Sequence, residues 1–276
     1  MTLSTEISCN SLSILITMVE YKETTITSIS DHTYNIKHVT VINPFKESLF
    51  TVSSFVLFKI NKNISSKEEI TRPYTPTFIS ANRIEFMIKI YPNGEVTSFI
   101  DTLNVGNTLK ISEPIHKLEY NSNKYNSIWM LAGGTGITPM LQILKCDSQT
   151  VDSQVRFVLL FCNKSVRDIF LIEELNKLEK EMGERLKVVH VISDLDISIK
   201  DLEKEFKHIE GGRINREVLV KHGIEDLKNK RKLIYVCGPP GFMECVSGDK
   251  TPKKEQGALS GLLKDLEFTE EDVYKF

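Results

Sequence analysis

Hydrophobic positions in the first half of the chain fall in short runs separated by polar breaks. Residues 83–91 alternate between two kinds of side chain, which is the period of a strand with two different faces. Turn-forming sequences such as Asn43-Pro44 and Pro92-Asn-Gly94 separate the runs. This pattern predicts an antiparallel β-barrel or sandwich. The predicted strands cover residues 12–19, 24–30, 34–42, 50–60, 83–91 and 108–112, with one short helix at residues 98–103.

The pattern changes near residue 127, where continuous apolar runs begin to alternate with helical segments. Strands of a parallel sheet are apolar on both faces because helices cover both. We therefore predict a Rossmann-like α/β unit with a parallel sheet, and two domains over residues 20–120 and 125–276. Its strands are predicted at residues 128–132, 155–161, 186–192 and 232–237, and its helices at residues 139–145, 168–183, 215–222 and 256–267.

A glycine-rich turn separates the first strand of this unit from its helix. Gly133, Gly134 and Gly136 permit a tight turn and the close approach of a ligand. Thr138 is a candidate cap for a helix that starts at Pro139. Unpaired N–H groups at such a helix start favour an anion. A plain turn between strand and helix would have a similar composition, so the glycines alone do not establish phosphate binding.

Two further features follow predicted parallel strands, at the edge where such sheets bind ligands. Asp194 is a candidate partner for ribose hydroxyls, although an aspartate in any surface loop would look the same. Cys237 precedes the rigid turn that starts with Gly238 and Pro239. A small buried cysteine is the more common role for this residue type. The coincidence of these features with the glycine turn predicts a nucleotide site.

In the first half, residues 72–76 (RPYTP) form a stiff segment. Arg72 on such a backbone can bind a phosphate or carboxylate through two hydrogen bonds. Tyr74 lies on the same side of an extended chain and can stack on a flat ring. An edge strand protected by proline is the alternative interpretation.

Composition and charge narrow the possible classes of protein. The 276 residues are 41% hydrophobic and 26% charged, as in ordinary globular domains. A formal charge of −2 gives no reason to expect nucleic acid or an anionic membrane as a partner. Five scattered cysteines lack metal-site spacing and favour a reducing compartment, and the apolar run at residues 14–19 is too short to span a bilayer. We expect a cytoplasmic protein without a metal site or transmembrane segment, which would reach the endoplasmic reticulum surface only through a partner.

Three ordered motifs carry a family resemblance: residues 72–76 (RPYTP), 133–140 (GGTGITPM) and 237–240 (CGPP). From about residue 22 to its end, the chain resembles the NADH–cytochrome b5 reductase family of the ferredoxin–NADP reductase superfamily. It looks closest to the reductase module of cytochrome b5/b5 reductase fusion oxidoreductases. The resemblance implies an FAD-binding barrel followed by a nicotinamide-binding domain. It also implies hydride transfer from NADH, or NADPH, to FAD, and then single-electron transfer to a cytochrome b5-like heme protein or domain.

The same resemblance implies roles for individual residues. Arg72 would bind the FAD diphosphate, Tyr74 would pack on the isoalloxazine, and Thr75 would hydrogen-bond near flavin N5. Asp194 would select NADH, and Cys237 would help to place the nicotinamide without acting as a nucleophile. Thr75 and Cys237 are the catalytic candidates. The other implied cofactor-binding residues are Pro73, Ile88, Lys89, Ile90, Tyr91, Gly94, Val96 and Thr97 on the flavin side, and Gly133, Gly134, Thr135, Gly136, Thr138, Pro139, Gly238 and Pro239 on the nucleotide side.

Three positions in the flavin half depart from the family pattern. Residues 53–55 (SSF) stand where the family has Gly-x-His, Glu95 replaces a basic residue, and Glu113 replaces a glycine. A carboxylate at position 95 would repel a diphosphate, so we expect reduced FAD affinity. Two alternatives to this reductase follow: a diaphorase with a quinone or iron–sulfur acceptor, and a non-catalytic module that has lost FAD. The basic insert at residues 249–255 is either a docking site for an acidic heme protein or a solvated loop.

Overall fold

The structure is a computed structural model that describes residues 19–61, 68–195 and 198–276. The strand predicted at residues 12–19 lies outside these residues except for Val19, which is not in a strand. Two sheets organise the rest, one antiparallel and one parallel. The predicted fold class is confirmed.

The first sheet contains eight strands in the described part of the chain, ordered β4-β3-β7-β1-β2-β6-β5 with β8 beside β3. Its inward-facing residues, among them Ile26, Phe58 and Phe86, form one buried core, as the alternating pattern requires. A short helix, α1, spans Glu95–Asp101. The strands are β1 Tyr21–Thr33, β2 Ile36–Ile42, β3 Ser54–Asn61, β4 Glu69–Tyr74, β5 Phe78–Ile79, β6 Arg83–Lys89, β7 Thr108–Ser112 and β8 Ile115–His116.

The second sheet contains six parallel strands in the order β12-β11-β10-β9-β13-β14. The central strand β9 is buried at every position, and a hydrophobic cluster covers each face of the sheet. The elements are β9 Ser127–Gly133, α2 Thr138–Ser148, β10 Arg156–Asn163, α3 Ile172–Met182, β11 Leu186–Ile192, α4 Ile199–Leu202, β12 Ile209–Gly211, α5 Arg216–Lys221, β13 Lys232–Cys237, α6 Pro240–Val246, α7 Gly261–Asp265 and β14 Val273–Lys275.

Several predicted bounds are wrong. The helix predicted at residues 98–103 begins at Glu95, and the one predicted at 256–267 is only Gly261–Asp265. The helix predicted from residue 168 begins at Ile172, because Asp168 is held in a capping box with Ser165 around a separate 3-10 turn. Strands β5, β8, β12 and β14 have two or three residues and were not predicted. Strand β4 lies at the edge of its sheet and contains Arg72–Tyr74, in agreement with the edge strand given as the alternative interpretation of residues 72–76.

The two sheets meet in an interface that α2 helps to build. Gln142 donates its amide N–H groups to the carbonyls of Ser54 and Pro76, at 3.1 and 2.9 Å. Lys145 donates to the carbonyl of Thr77 at 3.0 Å. Ile36 of the barrel belongs to the hydrophobic core of the α/β domain and is 1% exposed. The barrel and the parallel sheet therefore share both polar contacts and a core.

Candidate functional site

A cleft of about 930 Å³ lies where the two domains meet. This volume is at the upper end of the range for small-molecule and cofactor sites. The predicted site residues that line it are Arg72, Pro73, Tyr74, Thr75, Ile88, Lys89, Tyr91, Gly94, Val96, Thr97, Gly133, Thr135, Gly136, Thr138, Pro139, Cys237, Gly238 and Pro239. Ile90, Gly134 and Asp194 do not line it. One cleft thus joins motifs that are up to 165 positions apart, from Arg72 to Cys237.

On the barrel side, β4 presents Arg72 and Tyr74 to the cleft. The Arg72 guanidinium donates to the carbonyl of Thr71 at 2.9 Å, and its Nη2 lies 3.7 Å from Oε2 of Glu95. The Tyr74 ring packs against Phe58 with the ring centroids 4.4 Å apart. Burial raises the pKa of Tyr74, so its hydroxyl stays protonated and can donate a hydrogen bond. Arginine and an oriented aromatic ring are therefore side by side, as a flavin nucleotide would need.

The loop before α1 is shaped by Thr97. Its hydroxyl accepts from the Tyr91 N–H at 3.2 Å and donates to the Gly94 carbonyl at 3.1 Å. A Cβ at Gly94 would lie 2.3 Å from that hydroxyl oxygen, so only glycine fits without a shift. The contacts of Thr97 are thus within its own loop, and its role toward a phosphate stays a prediction.

The glycine turn leads from β9 into α2 through a 3-10 turn, Gly134–Ile137. A Cβ at Gly136 would lie 2.1 Å from the Cys237 carbonyl oxygen, so this glycine lets the turn touch the end of β13. The predicted cap at Thr138 is wrong. Thr138 is the first residue of α2 and donates to the Thr135 carbonyl at 3.0 Å, because the 3-10 turn continues directly into the helix.

Cys237 ends β13, half-buried at the cleft wall. Burial raises the pKa of its thiol to about 12, so the thiol stays protonated near neutral pH. A protonated thiol is a poor nucleophile. The geometry therefore suits a residue that positions a ligand, which is the role that the resemblance implies.

Lys89, predicted on the flavin strand, reaches across the interface to Asp168 at 2.8 Å. One oxygen of this buried carboxylate also accepts from the Tyr34 hydroxyl and the Asn35 amide, at 3.0 and 3.1 Å. Burial alone would raise the pKa of Asp168, but hydrogen bonds from Lys89, Ser165 and Asn35 outweigh it and lower the pKa far below its usual range. Sequence reasoning missed this contact, because nothing local relates residues 89 and 168.

Further cleft residues were also missed. Lys117, Lys250 and Lys254 line the cleft together with Phe276, and Lys250 lies near Cys237. The interpretation of residues 249–255 as a solvated loop is therefore wrong for Lys250, which is half-buried in the wall. Asp194, in contrast, is exposed at the end of β11, where its carboxylate lies 3.8 Å from the Lys164 ammonium.

Comparison with known proteins agrees with this architecture. Two family models match, the oxidoreductase FAD-binding domain over residues 23–120 and the oxidoreductase NAD-binding domain over residues 130–248. NADH-cytochrome b5 reductase 2 of Aspergillus oryzae is 35% identical over 230 residues, covering 82% of this chain and 68% of that protein. NADH-cytochrome b5 reductase 2-A of Vanderwaltozyma polyspora is 31% identical, covering 91% and 82%. The chain belongs to the NADH–cytochrome b5 reductase family.

Solved structures show the same fold. The CS-b5R domains of human Ncb5or, in the NAD+ form, superpose with a TM-score of 0.71 at 26% identity, over 94% of this chain and 70% of that one. The cytochrome b5 reductase domain of Ulva prolifera nitrate reductase gives 0.72 at 20% identity, over 93% and 97%.

As a member of the NADH–cytochrome b5 reductase family, the chain is an oxidoreductase with FAD and NAD as cofactors. The residues present fit both cofactors. The cleft has the size of a cofactor site, and Arg72 and Tyr74 lie on its barrel side. On its α/β side lies the glycine turn, where a side chain at Gly136 would clash with Cys237. In the part of the chain that the structure describes, no helix has the length and hydrophobicity to cross a membrane.

Proposed function

We propose that this chain is an NADH-dependent flavoprotein reductase that passes single electrons to a cytochrome b5-type heme protein or domain. The observation that carries the proposal is the single cleft shared by Arg72, Tyr74 and Thr75 of the barrel and Gly136 and Cys237 of the α/β domain. Transfer between two bound cofactors is a problem of proximity, and a cleft between domains holds both in one place. When bound, FAD supplies the redox chemistry by accepting a hydride and releasing electrons.

The chain's own residues bind and orient the cofactors. Arg72 donates to the FAD diphosphate through its planar guanidinium, and Tyr74 packs against the flavin with its hydroxyl protonated. Thr75 hydrogen-bonds near the reacting edge. Gly136 lets the nucleotide turn lie against β13, where the neutral Cys237 thiol offers a small contact for the nicotinamide.

We also propose a preference for NADH over NADPH. Asp194 lies two residues after the end of β11, at the carboxyl edge where parallel sheets bind nucleotides. Its carboxylate would accept hydrogen bonds from ribose hydroxyls and repel a 2′-phosphate. Lys164, 3.8 Å away and exposed, offsets only part of that charge.

The heme acceptor is supported by the names of the relatives, which are NADH-cytochrome b5 reductases. A cytoplasmic location, at a membrane surface only through a partner, is proposed with it. A diaphorase that reduces a quinone or an iron–sulfur protein is the alternative acceptor class. Steady-state rates with cytochrome b5, a quinone and a ferredoxin at equal concentrations would separate these, and a higher specificity constant for cytochrome b5 is expected.

The test of the proposal is the visible absorption spectrum before and after anaerobic NADH. We expect flavin bands that bleach within one turnover. If NADH leaves the flavin bands unchanged and NADPH bleaches them, the proposal that NADH is the electron donor is wrong. A colourless protein that added FAD cannot reconstitute would overturn the enzyme proposal in favour of a non-catalytic module, for which the contact between Glu95 and Arg72 is the structural argument.

A further inference from the structure

Three lysines line the cleft, and Lys250, the one nearest Cys237, has the other two as neighbours. Lys117 follows β8 of the barrel, whereas Lys250 and Lys254 belong to the loop between α6 and α7. Among the described residues that line the cleft, Glu95 is the only Asp or Glu, and its neighbour is Arg72. Both domains therefore contribute lysines to this part of the cleft.

The loop that presents Lys250 is pinned at both ends. The ammonium group of Lys275, only 2% exposed, donates to the carbonyls of Asp249, Gly257 and Ala258 at 3.3, 3.4 and 2.8 Å. A Cβ at Gly257 would lie 2.6 Å from the Asp249 carbonyl oxygen, so the ends of the loop touch. Lys250 directly follows this fixed point, which holds its backbone at the cleft.

The backbone that presents Lys117 is held as well. The Tyr274 hydroxyl donates to the Lys117 carbonyl at 3.2 Å. Ser53 donates to the carbonyl of Leu118 at 2.8 Å and accepts from its N–H at 3.1 Å. The Lys117 ammonium lies 5.6 Å from the centre of the Phe55 ring, which also lines the cleft. Residues 53–55, which depart from the family pattern, therefore help to place this lysine.

Two like charges held together in a partly buried place repel each other and lose hydration. Burial, and next the charge of Lys117, lower the pKa of Lys250 to about 7. The other groups that face Lys250 are the neutral Cys237 thiol and Lys254 of its own loop. No Asp or Glu side chain of the described residues is among the groups that shift the pKa of Lys250, so a bound anion would stabilise its charged form.

We propose that Lys117 and Lys250 form a binding site for a small oxyanion, a carboxylate or phosphate group, at the Cys237 end of the cleft. The anion bridges the barrel and the α/β domain, because each domain contributes one lysine. The group belongs either to the pyridine nucleotide or to a separate ligand of the same chemistry. The site does not depend on electron transfer, so it stands or falls separately from the proposed reductase function.

The experiment uses sulfate as the probe, since sulfate does not titrate near neutral pH. Sulfate binding to the 276-residue chain is measured by calorimetry at pH 6.5 for the unchanged protein, Lys250→Gln and Lys117→Gln. Each substitution is expected to weaken binding about tenfold or more, as the loss of a charged hydrogen bond does. Lys253→Gln is the matched control, because Lys253 is exposed in the same loop and does not line the cleft. Sulfate could also bind to Arg72 on the barrel side of the cleft. Weaker binding in Arg72→Gln would identify sulfate bound there.

A pH series separates an anion site from a structural role. Sulfate requires the charged form of Lys250, whose pKa is about 7, so affinity is expected to fall as the pH rises from 6.5 to 8.5. Lys250→Gln is expected to remove most of that slope, and Lys253→Gln to preserve it. Equal sulfate affinity in the Lys250, Lys117 and Lys253 variants, or a slope unchanged by Lys250→Gln, would overturn the proposal.

A competition series identifies the source of the anion. If sulfate and NAD+ exclude each other, and Lys250→Gln weakens both, the site takes a phosphate of the nucleotide. If both bind at once, the site takes a separate carboxylate or phosphate. Either result supports the lysine site, and the flavin spectrum of each variant reports the reductase function separately.

Discussion

At the residue scale, Glu95 sets the charge beside the expected FAD diphosphate. Its carboxylate lies 3.7 Å from Arg72, and both side chains are about half exposed. This pair is accordingly weak, but a diphosphate would have to share Arg72 with a carboxylate. The sequence predicted repulsion alone, whereas the structure adds that Glu95 also competes for the arginine.

Glu95→Gln is therefore expected to tighten FAD binding by about two- to fivefold, because it frees Arg72 and removes a like charge. The dissociation constant is measured by flavin fluorescence quenching in low salt, where the difference should be largest. Glu113→Gln is the control, since Glu113 also departs from the family pattern but does not line the cleft. Equal FAD affinity in both variants would contradict the competition.

Cys237 is the second residue whose environment defines its chemistry. Because its thiol stays protonated, Cys237→Ala is expected to slow flavin reduction by NADH severalfold while FAD stays bound, through looser placement of the nicotinamide. Stopped-flow absorbance measures this rate. Cys162→Ala is the control, since burial raises the pKa of Cys162 too, but that residue does not line the cleft. An unchanged rate of flavin reduction in Cys237→Ala would contradict a role of Cys237 in placing the nicotinamide.

At the scale of elements, the contact between the glycine turn and β13 decides where the nucleotide site can form. Sequence patterns predicted the type and order of β9, α2 and β13 correctly. They did not predict that the turn is a 3-10 helix that runs into α2 without a cap. The same turn brings Gly136 against Cys237, a contact between positions about a hundred residues apart that local patterns do not show.

Gly136→Ala is expected to lower the free energy of unfolding by about 1–3 kcal/mol and to weaken NAD+ binding, because the new Cβ would push the turn away from β13. Urea denaturation and an NAD+ titration measure the two effects. Gly241→Ala is the control, since nothing lies within 4 Å of its new Cβ and alanine suits the helix α6. Similar stability losses in both variants would argue against the steric explanation.

At the scale of the whole molecule, Asp168 ties the barrel to the α/β domain. Its carboxylate is 1% exposed and accepts hydrogen bonds from Tyr34, Asn35 and Lys89 of the barrel. With Gln142 and Lys145, this contact holds the two walls of the cleft in one arrangement. The limits of the two domains, residues 20–120 and 125–276, stay a prediction.

Asp168→Asn is expected to cost about 3 kcal/mol of stability at pH 7, because it leaves Lys89 without its charge partner at the interface. Since the pKa of Asp168 is lowered in the folded state, its contribution is complete above the unfolded pKa of about 4 and declines as the pH falls below it. The difference between the variant and the unchanged protein should therefore shrink below pH 4.

Urea denaturation from pH 3 to pH 7 measures this dependence. Asp194→Asn is the matched control, because Asp194 is exposed and its stability effect should stay within about 0.5 kcal/mol. A stability difference for Asp168→Asn that does not depend on pH would contradict the assigned charge.

The sequence by itself determined what local chemistry can specify. Alternating and continuous apolar runs specified the antiparallel and parallel sheets, because a strand's pattern records how many of its faces are buried. Three short motifs were enough to identify the family, and the comparisons confirmed that identification. Most of the cofactor-binding residues that the motifs implied lie in one cleft, although their individual roles stay predictions.

Only the tertiary structure decided the short strands β12 and β14, the contact of Lys89 with Asp168, and the position of Lys250 in the cleft. A strand of three residues is too short to show a period, and its partner strand decides whether it forms. Long-range pairs leave no trace in local spacing. The loop at residues 249–257 has an ordinary charged composition, and its ends are held by the buried ammonium of Lys275, which lies far along the chain.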